Sequence, residues 1–121
     1  MRIIEGDIGA ASSVKMLRSV VIKGIEALTA ECLIAAHRAG VVEEVMASLG
    51  GDWTERADYY LDRMLVHGTR RAAEMREVVK TLETLGIEPV ITRGTISRQA
   101  EMGAIGAGSP QGLSAKLRLA T

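Results

Sequence analysis

Between Ala10 and Ala39 the apolar residues Val14, Leu17, Val21, Ile25, Leu28, Cys32 and Ala35 follow one another at spacings of three and four. That is the period of one helix face. Val20, Ile22, Leu33, Ile34 and Ala36 widen the stripe beyond what a surface helix needs, which predicts a central helix. Asp7, or Ser12 a turn later, is placed to cap its start, and Gly40 to end it. At 1.5 Å per residue the run is about 45 Å long. A globule of 121 residues has a radius of gyration of only about 14 Å. A helix of that length calls for a second body, either another domain or another subunit.

The rest of the chain also reads as helical. Aromatic residues make up 2% and Phe is absent, so a core must be built from Leu, Ile, Val, Ala and Met, without the aromatic residues that sheets prefer. Val41 to Leu49 is a short amphipathic helix stopped by Gly50-Gly51. Asp52 and Glu55 form an Asp-x-x-Glu pattern that predicts a capping box, opening a helix to about Val66 with Trp53, Ala57, Tyr60, Leu61 and Met64 turned inward. His67-Gly68 weakens the pattern, and Ala72, Met75, Val78, Val79, Leu82 and Leu85 resume it until Gly86. Pro89 then starts a last helix reaching about Met102. The glycine-rich stretch that follows reads as a loop, and the final residues to Thr121 as mobile. The expectation is an all-α bundle around one long helix, with residues 1–105 as the helical domain and 106–121 as a flexible tail.

Lys plus Arg and Asp plus Glu each number 15, so no long-range field marks a nucleic-acid or membrane-surface partner. The first helix carries Lys15, Arg18, Lys23, Glu26 and Glu31, which excludes it as a membrane span. The start, MRIIEGDIG, is too short and too charged for a signal peptide. Cys32 is the only cysteine, so no internal disulfide forms and a cytoplasmic protein is expected. On the apolar stripe, Cys32 reads as buried and inert. Trp53 and the Tyr59-Tyr60 pair read as core or interface anchors. His37 and His67 lack partners at metal-ligand spacing, so both read as structural and no metal site is expected.

One polar feature stands out on the first helix. Ser12, Lys15, Ser19 and Glu26 fall within about 60° of one another on a helical wheel. A lysine walled by apolar neighbours loses hydration, and its amine becomes a usable proton donor and acceptor near neutral pH. Ser19, one turn on, can orient that amine or relay a proton. The same residues would equally make an ordinary solvated strip on an exposed helix side.

The order of residues narrows this. Gly6-Asp-Ile-Gly9-Ala-Ala-Ser-Ser-Val-Lys15 resembles the stretch that opens the helical C-terminal domain of the β-hydroxyacid dehydrogenases, among them the 6-phosphogluconate and 3-hydroxyisobutyrate dehydrogenases. The resemblance implies that Lys15 is the catalytic lysine and that Ser19 stands where the family carries an asparagine. Ile22 occupies the place of a glutamate used by the phosphogluconate enzymes, which argues against 6-phosphogluconate as substrate. It implies further that the Gly6 to Ser13 turn, through Gly9, Ser12 and Ser13, receives a substrate carboxylate. His67-Gly-Thr-Arg70-Arg71-Ala-Ala-Glu74-Met75 is similar to the segment that returns a lysine-aspartate pair to the nicotinamide. Here that pair reads Glu74-Met75, and Arg70 and Arg71 are the candidates for an anionic group of cofactor or substrate. The Lys23-Gly24 step and the Arg-x-x-Glu-Met pattern from Arg71 to Met75 most resemble a poorly characterised subgroup of NAD(P)-dependent oxidoreductases.

The family's N-terminal Rossmann domain is absent from this sequence. The run Gly106-Ala-Gly108-Ser-Pro-Gln-Gly112 has no strand before it and no room for a βαβ unit after it. The resemblance therefore implies the substrate-side and dimerisation domain of an NAD- or NADP-dependent hydroxy-acid dehydrogenase, a homodimer, silent without its Rossmann domain and holding no cofactor tightly by itself. Two other readings remain open: a stand-alone helical scaffold, and a small-molecule-binding regulator without catalysis.

Overall fold

A computed structural model describes the backbone of residues 7–121 and the side chains of residues 11–121. The elements are α1 (Asp7–Ala39), α2 (Val42–Leu49), α3 (Trp53–Thr84), α4 (Val90–Gly103) and α5 (Leu113–Ala120). No strand occurs among the described residues, and no helix among them is long and apolar enough to cross a membrane. The all-α bundle around a long first helix is therefore what forms.

Helix α1 has 33 residues, or about 50 Å. At its end Gly40 takes a φ of 75°, and the N–H of Val41 donates to the carbonyl of Ala36, closing the last turn with a left-handed residue. Helix α3 runs antiparallel to it: Thr81 donates to the Met16 sulfur at one end of the seam, and Arg71 to Glu26 ten residues further along α1. Ala27, Ala30 and Leu33 of α1 pack with Leu61, Met64 and Met102 in the main core. A smaller cluster of Met75, Val78 and Leu82 holds Met16, Val20 and Ile96 nearer the start of α1.

Several features differ from the sequence-based expectation. The weakening at His67-Gly68 is no break, because α3 continues through it as one helix of 32 residues. Gly68 is there for a close crossing with α4. A Cβ on Gly68 would sit 2.3 Å from the carbonyl oxygen of Gln99, and one on Gly103 would sit 2.2 Å from the Thr69 nitrogen. Two helices approach this closely only where both lack a side chain.

The expected tail at 106–121 holds α5, with Leu117 only 1% exposed. Two carboxylates one turn apart on α3 tether it: Ser109 donates to Asp62 at 2.6 Å and Lys116 to Asp58 at 2.7 Å. The Ser109 hydroxyl, followed by Arg63, holds Asp62 below the usual carboxylate range. Composition alone hides this helix, because its anchors lie on α3. The Asp52–Glu55 box does not form either. Asp52 makes no side-chain cap bond, and its carboxylate instead approaches Arg56 at 4.0 Å.

The largest departure concerns the orientation of α1. Its regular apolar stripe faces away from the bundle: Val14 is 66% exposed, Val21 65% and Leu28 68%. Cys32, expected to be buried, is exposed with it. The face turned toward α3 is the polar strip in the first half of the helix and small apolar residues in the second. Periodicity identifies a helix and its faces, but not which face the remaining chain covers.

Candidate functional site

A groove of about 480 Å³ runs between the first half of α1 and the second half of α3. From α1 it is lined by Ser12, Lys15, Arg18, Ser19 and Lys23, and from α3 by Arg70, Arg71, Glu74 and Glu77, with Met16, Met75 and Val78 beneath. Residues 12, 15, 19 and 23 come together because α1 is regular there, each lying within about 40° of the next along the strip, apart from the 60° step from Ser12 to Lys15. Antiparallel packing then sets Arg70, Arg71 and Glu74 opposite Lys23.

Lys15 is solvent-exposed and lines the open end of the groove. Ser19 is half-buried, and its hydroxyl donates to the Lys15 carbonyl at 3.0 Å. Its proton is thus engaged within the helix, while the oxygen lone pairs stay available to a donor. Ser12 lines the groove, but Ser13, the next residue on the helix, points about 100° away and does not. The expected carboxylate-receiving turn is already helix from Asp7 onward, so the backbone N–H groups of Ser12 and Ser13 lie beyond the four that a helix start leaves open. Gly6 and the surroundings of Gly9 lie outside the described residues.

Of the cofactor-side candidates, Arg70 and Glu74 are exposed and line the groove. Arg71 is already engaged. Its guanidinium lies 2.5 Å from Glu26, the two side chains being only 12% and 3% exposed. Gln99 of α4, fully buried, donates to the same carboxylate at 3.0 Å and to the Lys23 carbonyl at 3.3 Å. Its own oxygen has no hydrogen-bond partner. Turning the amide over would set oxygen against the Glu26 carboxylate, so Glu26 fixes its orientation. Glu26 therefore belongs to a buried cluster rather than to the substrate strip.

Lys23, which the sequence reading used for the resemblance but did not place in the site, also lines the groove. It is half-buried. Lost hydration holds its amine below the usual lysine value, repulsion from Arg71 adds to this, and Glu26 and Glu74 oppose it. The signal was present: Lys23 lies one further turn along the Lys15–Ser19 line. That Glu26 is only 3% exposed and that Gln99 meets it could not be read without knowing how α3 and α4 pack. Of the histidines, His37 lines a separate cavity of about 660 Å³ beside α2 and α5. His67 is held below the usual histidine value by lost hydration and by Arg70 and Arg63.

Residues 36–103, more than half of the chain, match the family described as Domain of unknown function (DUF1932). The chain belongs to the DUF1932 family. A conserved hypothetical protein of Sinorhizobium meliloti 1021 superposes on this DUF1932 chain with a TM-score of 0.84, at 38% identity, over 97% of this chain and 42% of its own. A second solved structure matches at a TM-score of 0.71, with 39% identity over 79% of this chain and 38% of its own. It is a conserved protein of unknown function whose structure reveals similarity with 3-hydroxyacid dehydrogenases. An uncharacterised 28.5 kDa protein of Methanothermus fervidus is 25% identical over 99 residues, which is 78% of this chain and 39% of that protein. The DUF1932 chain thus spans about two fifths of the length of these relatives. The family match includes the α3 wall of the groove, residues 70–78, but begins after its α1 wall, residues 12–23, whereas the S. meliloti superposition extends over nearly all of the chain. The resemblance seen around Lys15 and His67–Met75 and the structural neighbours point to the same group, the helical domain of hydroxyacid-dehydrogenase-like proteins.

Proposed function

We propose that this chain is the substrate-side half of an NAD- or NADP-dependent hydroxy-acid dehydrogenase whose nucleotide is carried by a Rossmann domain outside the chain. The observation that carries the reading is the gathering of Lys15, Ser12 and Ser19 in one groove that Arg70 and Glu74 close from the other side. The cationic lining suits a small carboxylate-bearing substrate. The described residues offer no strand and no βα glycine turn for a dinucleotide, and the Gly106–Gly112 run lies in the α4–α5 connection.

The nicotinamide supplies or accepts the hydride. Ser12 and the neighbouring cations hold the substrate carboxylate. Lys15 takes the hydroxyl proton in oxidation and returns it in reduction, with the free lone pairs of Ser19 orienting the amine. Docking of the nucleotide domain over the groove excludes water from the reacting atoms. Arg71 serves the fold rather than the cofactor, since Glu26 already occupies it.

The opposite face of α1 supports the homodimer. Val14, Val21 and Leu28 recur every seven residues about 180° from the groove, and each is about two-thirds exposed. A second copy's α1 is the partner of matching length and pattern.

The test joins the chain to its Rossmann domain and measures oxidation of a panel of small hydroxy acids. Lys15→Ala is expected to lower kcat about 10²–10⁴-fold with helicity and dimerisation intact. Absence of turnover across the panel with both domains folded, or an unaffected Lys15→Ala enzyme, overturns the reading in favour of a scaffold or a non-catalytic binding module.

A further inference from the structure

Four cations face the groove without an ion pair to any described residue: Lys15, Arg18, Lys23 and Arg70. They are not spread evenly. Lys15 stands at the open end, whereas Lys23 and Arg70 stand where the buried Glu26–Arg71–Gln99 cluster closes the α1–α3 seam. Lys15 and Lys23 are eight residues apart, about 12 Å along the helix axis, and helical side chains lean toward the N-terminus, so Lys23 leans back toward Ser19. One carboxylate beside Lys15 and Ser12 accounts for the open end. It leaves the closed end with Lys23, whose amine loses hydration and is repelled by Arg71 and Arg18, and with the exposed guanidinium of Arg70 lining the same groove.

Glu26 and Glu74 offset that repulsion only in part, since Lys23 still stands below its ordinary value and the Glu26 carboxylate is already hydrogen-bonded by Arg71 and Gln99. Glu77 is paired with Lys80 at 3.1 Å, which leaves Glu74 as the only unengaged carboxylate of the groove. Two cations that line one end of an open groove, neither with an ion pair to a described residue, are an arrangement that an incoming anion stabilises.

We infer that Lys23 and Arg70 form a second anion subsite, so that the substrate is a hydroxy acid with a further anionic group, a carboxylate or phosphate, several bonds from its hydroxyl. The inference rests on the dehydrogenase reading for the identity of the ligand, but the subsite itself is tested by binding, without turnover. Lys23 is here a specificity-determining residue, remote from the proton that Lys15 moves. Its lowered proton affinity, caused first by lost hydration and then by Arg71, also makes the subsite weaken at a lower pH than an ordinary lysine would.

Calorimetry or NMR titration of the chain compares 3-hydroxyhexanoate with 3-hydroxyadipate, which have the same carbon chain and differ by one distal carboxylate. The dianion is expected to bind about tenfold tighter, as one net hydrogen bond between charged groups gives. Lys23→Met should reduce that preference to less than about threefold, and Lys23→Arg should restore it. Equal binding of the two acids, or a preference that survives in a folded Lys23→Met chain, overturns the subsite. ADP is the counter-probe for the dinucleotide's pyrophosphate: Lys23-dependent binding tighter than that of the adipate derivative assigns the cations to the cofactor and overturns it as well. A preference that persists where no dehydrogenase activity is found keeps the subsite and removes only the reaction.

Discussion

On the side of α1 that meets α3, the first half of the helix presents Ser12, Lys15, Ser19 and Lys23 to a groove. On the opposite side Val14, Val21 and Leu28 stand in solvent. A helix whose only task is to stabilise a monomer has the reverse arrangement, apolar residues inward and charges outward. Burying one such side chain fully stabilises a fold by roughly 1.5–3 kcal/mol, and this chain leaves that stabilisation unused on one face. On the function proposed above, the polar side meets a ligand and a covering domain, and the apolar side another apolar helix. The second half of the same helix shows the contrast, since Ala27, Ala30 and Leu33 are buried there in the ordinary way.

The comparison can be broken most forcefully where the polar side goes underground. Glu26→Ala leaves the Arg71 guanidinium and the Gln99 amide without their acceptor. Removal of one partner of a buried pair costs about 3–5 kcal/mol, read as a matching fall in unfolding free energy by urea denaturation. A loss below about 1 kcal/mol would mean that the pair is hydrated and that the groove's closed end is not closed. The apolar side comes next. Val21→Asp with Leu28→Asp is expected to weaken self-association by at least about 2 kcal/mol, some thirtyfold in Kd, in sedimentation equilibrium. Helicity should remain, because neither residue touches the core. An unchanged dimer would assign that face to another partner.

The smallest effect sharpens the charge argument. Lys23 is held below its ordinary value of 10.5 in the fold, so its charged form is less favoured there than in the open chain. That cost is present at every pH below the lowered value and fades as pH rises from it to 10.5. Lys23→Met should thus raise stability slightly at neutral pH, by no more than about 0.5 kcal/mol for so exposed a group. The difference from the parent chain should shrink in alkali. A destabilised variant would show that Lys23 already has a partner in the fold.

Much of the fold was legible in the residues. The spacing of apolar residues from Ala10 to Ala39 gave the long helix, and Gly40, Gly50 and Pro89 marked ends close to those observed. Lys15, Ser12 and Ser19 could be grouped because one helix carries them and its geometry is known in advance. Arg70 and Glu74 entered through a resemblance, and antiparallel packing brought them to the same groove. Gly68 misled, since a glycine that permits close approach to Gly103 looks the same in sequence as one that ends a helix. The α5 helix was missed because Ser109 and Lys116 are held by Asp62 and Asp58, some fifty residues away.

The sequence by itself determined most of the helices, their periods and the polar line on α1, because these are properties of neighbours along one backbone. Only the tertiary structure decided which face of α1 the bundle covers, which arginine is free and which is bound to Glu26, and that Lys23 loses part of its hydration. The physical reason is that burial and pairing depend on residues distant in the chain. A side chain carries its chemistry in its own letter, but its solvent and its partner are supplied by the packing.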